Sequence, residues 1–351
     1  MIVTVAAIAL VALAVACGDD DEGSSPDGSP SPGSGTAVPT LPPGTPMDSC
    51  DPGDGPPSEG AGADLEGSIS YVRLVFGCNP DIYIMDANGD NARPLADDVA
   101  LDDESDLSPD GTKVVFFSTR EGNAFLYIVN VDGTGLEKIT TGGGDVSPRW
   151  SPDGTKISFS RSGSLYTIDA TGGDETLVMQ SSSGDDTPPC RAGAFVGGWS
   201  PSGESLVYYS AVLAPEGNRF WVCSVGIDGS EPEVLVSDPD DALHAEPHWS
   251  PDGTKIVFRD DRDSPPSCRE SGVGCFFDIF VLDLETGEET NVTNNPSLDI
   301  EPVWSPDGEW ILFASNRDDR NFDLYVIKPD GSDLQRVLSD PQSKDSYPSW
   351  Q

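Results

Sequence analysis

Five copies of one short motif constrain this chain more than anything else in it. Trp150-Ser-Pro-Asp-Gly154, Trp199-Ser-Pro-Ser-Gly203, Trp249-Ser-Pro-Asp-Gly253 and Trp304-Ser-Pro-Asp-Gly308 share a leading tryptophan, and Leu107-Ser-Pro-Asp-Gly111 is a fifth copy without it. With Trp350 added, the tryptophans lie 49, 50, 55 and 46 residues apart. Self-similarity at that period is the spacing of four-stranded propeller blades.

The local pattern agrees. After each motif glycine the third residue is aliphatic and the fifth aromatic: Val114 and Phe116, Ile157 and Phe159, Leu206 and Tyr208, Ile256 and Phe258, Ile311 and Phe313. Period two predicts a strand with one buried face. A second column, Tyr83, Tyr127, Tyr166, Cys223 and Tyr325, stands six residues before a turn glycine and marks a third strand closed in several copies by an Asn-Gly or Asp-Gly type turn. Inside the motif, Pro presets φ, Asp bonds its own backbone and Gly supplies positive φ, so these aspartates read as structural.

Ring closure is visible as well. Residues 67–96 contain later strands of a blade (Ile69 to Phe76, Asp81 to Met85) but no copy of the motif, whereas the chain ends Ser346-Tyr-Pro-Ser-Trp350-Gln351, resembling Glu301-Pro-Val-Trp304. The C-terminal segment is therefore expected to supply the innermost strand of blade one. The fold class is all-β, a six-bladed propeller over residues 67–351 with no exposed edges.

The repeat resembles the TolB-like, or WD40-like PD40, family. That family's blade reads much like Pro-x-Trp-Ser-Pro-Asp-Gly, then Ile-x-Phe, Asp-Ile-Tyr and Asp-Gly, and the resemblance covers roughly residues 67–351. The family includes the periplasmic Tol-system propeller, which binds partner proteins, and propellers fused to prolyl-oligopeptidase-type hydrolase domains, for which this chain leaves no room. The resemblance implies protein binding.

Residues 1–16 read as a signal peptide: Ile2 to Ala16 is apolar except for Thr4 and ends in Ala14-Val15-Ala16. The stretch is short for a bilayer span. Cys17, followed by Gly18, Asp19, Asp20 and Asp21, resembles a bacterial lipobox, which implies lipidation at Cys17 and a membrane-anchored lipoprotein facing the periplasm or the cell exterior. The alternative is an ordinary secretory signal cleaved nearby. Residues 17–66 are rich in Pro, Gly, Ser and Asp and are expected to be a disordered tether, spanning roughly 40 Å as a flexible coil.

The formal net charge is −42, from 61 acidic and 19 basic residues; eleven acidic residues lie in the tether, leaving −31 on the propeller. Such a field repels nucleic acid and anionic membrane surfaces and favours cations or basic partners. Membrane contact is expected only through the lipid anchor, and the protein is expected to be a monomer. With Cys17 assigned to lipid, six of the seven cysteines remain. An even number in an exported chain suggests disulfides. The expected pairs are Cys268 with Cys275, Cys190 with Cys223, and Cys50 with Cys78, though sequence alone leaves the pairing open.

In a blade of four antiparallel strands, the first-to-second and third-to-fourth turns share one face of the ring. The long insertions, Ser210 to Arg219, Asp260 to Phe276 and Gln180 to Ala194, all fall on the other, where binding residues are expected. Asp102, Asp145, His244, Asp299 and Asp345 occupy one register position before the innermost-strand motif, with Ala194 as the exception, and Glu104, Glu246 and Glu301 lie nearby. Symmetry would gather them around the channel mouth, where oxygen ligands would suit a hard cation such as Ca²⁺. The competing expectation is that these acids cap backbone amides or pair with Arg120, Arg161, Arg262 and Arg317. His244, Glu246 and His248 stand at alternate strand positions, a metal-ligand spacing that reads more simply as a surface or capping role.

No serine has glycine at both minus two and plus two, and neither His-Glu-x-x-His nor a Gly-Lys-Ser/Thr phosphate loop occurs. No cofactor and no catalytic activity are expected. The leading expectation is a lipid-anchored binding module for a protein, peptide or glycan on the long-loop face. The alternative is a metal-dependent lyase or lactonase-type hydrolase using the Asp/His/Glu ring.

Overall fold

The computed structural model describes residues 65–351 apart from 77, 97–98, 183–187, 213–217, 231, 238–241, 266–267, 269–274 and 319–320. The expected signal peptide, Cys17, Cys50 and nearly all of the expected tether lie outside the described residues. No helix among the described residues is long and apolar enough to cross a membrane.

Six four-stranded antiparallel sheets make the six blades. Their innermost strands are Ser343–Trp350 in blade 1, Asp102–Leu107 in blade 2, Asp145–Trp150 in blade 3, Gly193–Trp199 in blade 4, His244–Trp249 in blade 5 and Asp299–Trp304 in blade 6. Each touches the next and the last touches the first, so the ring is closed.

Closure works as the chain end suggested, over a longer stretch than expected. Ser343–Trp350, rather than residues 346–351 alone, pairs antiparallel with Ser68–Val75, from Ile69 opposite Trp350 to Val75 opposite Ser343. The Ser68 amide donates to the Gln351 carbonyl at 2.6 Å and the Gln351 amide returns a bond to Ser68 at 3.0 Å. Gly67 is required at this seam. Its φ is +100°, and a Cβ there would fall 2.2 Å from the Gln351 carbonyl oxygen.

The second strands are buried on both faces, not on one. Val114, Val115 and Phe116 are each 0% exposed. A propeller blade is sandwiched between two others, so alternate side chains serve different interfaces. Val114 and Phe116 pack with Val72 and Ile82 of blade 1, whereas Val115 packs with Ile157 and Phe159 of blade 3. Burial of each such side chain contributes roughly 1.5–3 kcal/mol.

The motif turns behave as their chemistry demands. In blade 2 the Gly111 amide donates to Ser108 O at 2.8 Å, the Ser108 hydroxyl donates to Asp110 at 2.6 Å, and Asp110 accepts from the Thr112 amide at 3.0 Å. Asp153, Asp252 and Asp307 hold their own turns in the same way. These turns lie on one face of the ring, opposite the long connections. At the base of the longest connection, the Ser264 hydroxyl donates to Phe276 O at 2.6 Å and accepts from its amide at 2.9 Å. The Cys268–Cys275 disulfide lies within the span so closed.

Candidate functional site

The eight side chains expected to gather around the channel mouth separate into two sets. Asp102, Asp145 and Asp299 open their inner strands and Asp345 is the third residue of its own, all at 0% exposure. Each meets an arginine from the end of the neighbouring second strand or the connection after it. Arg120 lies 2.8 Å from Asp102, Arg161 2.5 Å from Asp145 and Arg317 2.9 Å from Asp299. Arg73 holds Asp345 with two bonds of 2.7 and 3.0 Å. Every one of these guanidinium groups also rests over an aromatic pair of its own blade, such as Phe313 and Tyr325 beneath Arg317 at 5.1 and 4.9 Å. The arginines supply the positive charge that a bound cation would otherwise bring to these carboxylates.

Blades 5 and 4 depart from the pattern differently. In blade 5 the acid sits on the second strand: His244 Nδ1 lies 2.6 Å from Asp260, which also accepts from Arg262 Nε at 2.8 Å. In blade 4 Ala194 replaces the acid, and Tyr208 is paired across the ladder with Cys223 rather than with a second aromatic ring. The Cys190–Cys223 disulfide, with Cα atoms 5.7 Å apart, fills that place. Cys78 is also disulfide-bonded.

The second set lies further along the inner strands. Every blade has a register shift where the innermost strand pairs with the second, a β-bulge. The bulged residues Glu104, Ser147, Glu246, Glu301 and Tyr347 take φ between 47 and 56°, sparsely populated for residues other than glycine. A bulge frees an amide from the ladder, and the glutamates take up those amides from blade to blade. Glu104 accepts from the Ser147 amide, Glu246 from the Glu301 amide at 2.7 Å and Glu301 from the Tyr347 amide at 2.5 Å. The bulge after Ala245 also ends the alternation that had placed His244, Glu246 and His248 on one side. His244 instead joins Asp260, while His248 Nδ1 faces the Trp249 carbonyl at 3.1 Å. Among the described residues no group of three or more His, Cys, Asp or Glu side chains is placed to hold a metal ion.

Charge around these bulges is unbalanced. Asp103, Glu104, Glu246 and Glu301 act on one another, opposed by Arg149 and Arg259. Arg259 pairs with Glu246 at 2.9 Å, and Arg149 donates to Gly197 O at 2.9 Å and Pro148 O at 2.7 Å. Burial, with Glu104 alongside, pushes the Asp103 carboxyl up to about 8. Burial and the Glu246 carboxylate hold Glu301 well above the usual range, and burial raises Glu104 against the pull of Arg149. Burial and then Glu301 raise the Tyr347 phenol, while burial and Arg149 lower His248 to about 4. Asp103, Arg149, Arg259 and Tyr347 were missed as members of this cluster. Tyr347 shares the register of Glu104, Glu246 and Glu301, two residues after the column acid, and that register was the available signal.

Residues 67–230 match the family model described as the TolB beta propeller domain. An uncharacterized protein of Agrobacterium fabrum is 26% identical over 58% of this chain and 60% of its own length. A protein TolB homolog of Chlorobium luteolum is 29% identical over 63% of this chain and 46% of its own length. The chain thus matches less than two thirds of either relative. Among solved structures, TolB from Acinetobacter baumannii superposes with a TM-score of 0.65 at 19% identity, covering 82% of this chain and 67% of that one. The putative TolB from Agrobacterium tumefaciens gives 0.59 at 18% identity, covering 82% and 99%. Residues 67–230 thus match the TolB beta propeller domain by sequence, and the six closed blades carry the same propeller fold through the rest of the described chain.

Proposed function

We propose that the chain is an exported binding module that takes a basic segment of a protein or peptide partner at the channel mouth on the long-loop face. The observation that carries the reading is the unbalanced cluster: four carboxyls, Asp103, Glu104, Glu246 and Glu301, against two guanidinium groups, Arg149 and Arg259. An approaching ammonium or guanidinium relieves that repulsion, and the propeller's overall negative charge steers it inward. The Cys190–Cys223 and Cys268–Cys275 disulfides suit an oxidising compartment. Anchoring through a lipid on Cys17, with residues 17–66 as the tether, completes the proposal.

Titration calorimetry of the full chain with a lysine-rich and a glutamate-rich peptide tests it. The basic peptide is expected to bind and the acidic one not, with affinity falling as salt rises. Glu246→Gln with Glu301→Gln, which keeps acceptors for both bulge amides, is expected to weaken binding about tenfold, equivalent to roughly 1.4 kcal/mol. Equal affinity for the two peptides, or an unchanged affinity in the double variant, overturns the proposal.

A further inference from the structure

The outer rim of the ring carries a feature independent of the channel mouth. Each blade ends in a fourth strand with no strand beyond it among the described residues. Such an edge leaves backbone N–H and C=O groups free to pair with another chain, and proteins blunt it with charge, proline or brevity. One register position compares the six edges. Opposite Tyr83, Tyr127, Phe280 and Tyr325 of the third strands stand Pro94, Lys138, Asn291 and Arg336. Proline, a charge or asparagine at that place disfavours an added strand, and the blade 2 edge, Glu137–Lys138, is also only two residues long.

Blades 3 and 4 lack these devices. Opposite Tyr166 and Cys223 stand Leu177 and Val234, 46% and 40% exposed. Blade 4 departs furthest. Its outer strand, Glu233–Ser237, is the longest of the six at five residues, and its sequence, Glu-Val-Leu-Val-Ser, contains no Lys, Arg or Pro. A bulge at Leu235 has counterparts in the outer strands of blades 1, 3 and 6, so it does not set this edge apart.

Charge chooses the occupant. Residues 228–241 hold six acidic residues, Asp228, Glu231, Glu233, Asp238, Asp240 and Asp241, and no Lys or Arg. A second copy of this chain pairing along the same edge would set its own carboxylates beside these. An extended segment with an apolar centre and basic ends instead meets apolar side chains with apolar ones and carboxylates with cations. The backbone ladder supplies affinity, and the side chains supply the choice of partner.

We propose that the outer edge of blade 4, Glu233–Ser237, is a strand-addition site for an extended partner segment with an apolar centre and basic flanks. Hydrogen exchange of the full chain, read by mass spectrometry, tests it with a short peptide that alternates Val and Thr between flanking Lys pairs. Its controls are the same peptide with a central Pro and the same peptide with Glu in place of Lys. The first peptide is expected to slow exchange at residues 233–237 with a dissociation constant near about 100 μM. The Pro-bearing peptide keeps the charge that the channel mouth attracts but breaks the ladder, so these residues should exchange as they do without peptide. Val234→Lys, a change at an exposed position, is expected to weaken the protection about tenfold with thermal stability unchanged. Val234→Thr, which keeps a β-branched side chain, should retain it. The proposal is overturned if residues 233–237 exchange equally fast with and without the first peptide, if either control protects them as well, or if Val234→Lys is protected as the wild type is. Protection of these residues without peptide that rises with protein concentration would make a second copy the occupant and overturn it too.

Discussion

Blades 4 and 6 build the same four-stranded sheet and secure its long-loop end by unlike means. Blade 6 uses a buried ion pair, Asp299 with Arg317, the arginine lying over Phe313 and Tyr325 and the carboxylate also accepting from the Ser315 hydroxyl at 2.5 Å. Blade 4 has Ala194 where the acid would be and crosses the place with the Cys190–Cys223 disulfide. One blade can dispense with the ion pair, so the column of acids around the ring serves to fasten blades. The glutamates two residues further on are different: they form a set of carboxyls that crowd one another against the two guanidinium groups of Arg149 and Arg259, and burial pushes Glu104 and Glu301 toward their neutral forms.

Three measurements would break or sharpen that contrast. The largest effect is expected from Asp299→Ala. It leaves the Arg317 guanidinium, 13% exposed, without its carboxylate. Breaking a pair of this kind costs about 3–5 kcal/mol, read by denaturant unfolding. The double change Asp299→Ala with Arg317→Met should recover most of it. Failure to recover would mean that the acid's bonds to Ser315 and Asn295, not the ion pair, hold the blade.

Cys190→Ser with Cys223→Ser comes next. Opening a loop of 33 residues should cost about 3–4 kcal/mol on the chain-entropy account. The reductant sensitivity of the wild type should fall correspondingly. A loss below about 1 kcal/mol would show that packing around Tyr208 and Ala194 already suffices in blade 4.

The smallest effect concerns the second set. Asp103 has its carboxyl pushed up to about 8, and the group titrates near 4 in an unfolded chain. The folded state therefore binds the proton more tightly. Its contribution to stability is complete below pH of about 4 and is lost as pH rises toward about 8. Asp103→Asn should raise the melting temperature at pH 8 more than at pH 5, by about 2–4 °C per kcal/mol recovered. An equal change at both values would place Asp103 among the balanced acids. A basic ligand should bind more tightly at pH 8 than at pH 5, since protonated carboxyls attract it less.

Much of the fold was legible because its determinants are local and repeated. A turn of Ser, Pro, Asp and Gly closes on its own backbone, a strand alternates over a few residues, and six such units in sequence leave a ring as the arrangement that removes every edge. The pairing of Asp with Arg was one of two readings, because the column acids and the following arginines are close along the ladder. The inner cluster was half legible. Glu104, Glu246 and Glu301 were noticed, but Arg149, Arg259 and Tyr347 come from different blades and meet only when the ring closes.

The sequence by itself thus determined the blade, its number and the closing strand, since each depends on neighbours within one repeat or its terminus, while the structure settled the Cys190–Cys223 and Cys268–Cys275 pairings. The tertiary structure alone decided that second strands are buried on both faces and that the indole N–H groups of Trp249 and Trp304 are buried without an acceptor among the described residues. It also decided that the bulges turn three glutamates toward the next blade's amides. Burial, unpaired donors and charge balance are properties of surfaces brought together from distant repeats, and the spacing within a single repeat carries no record of them.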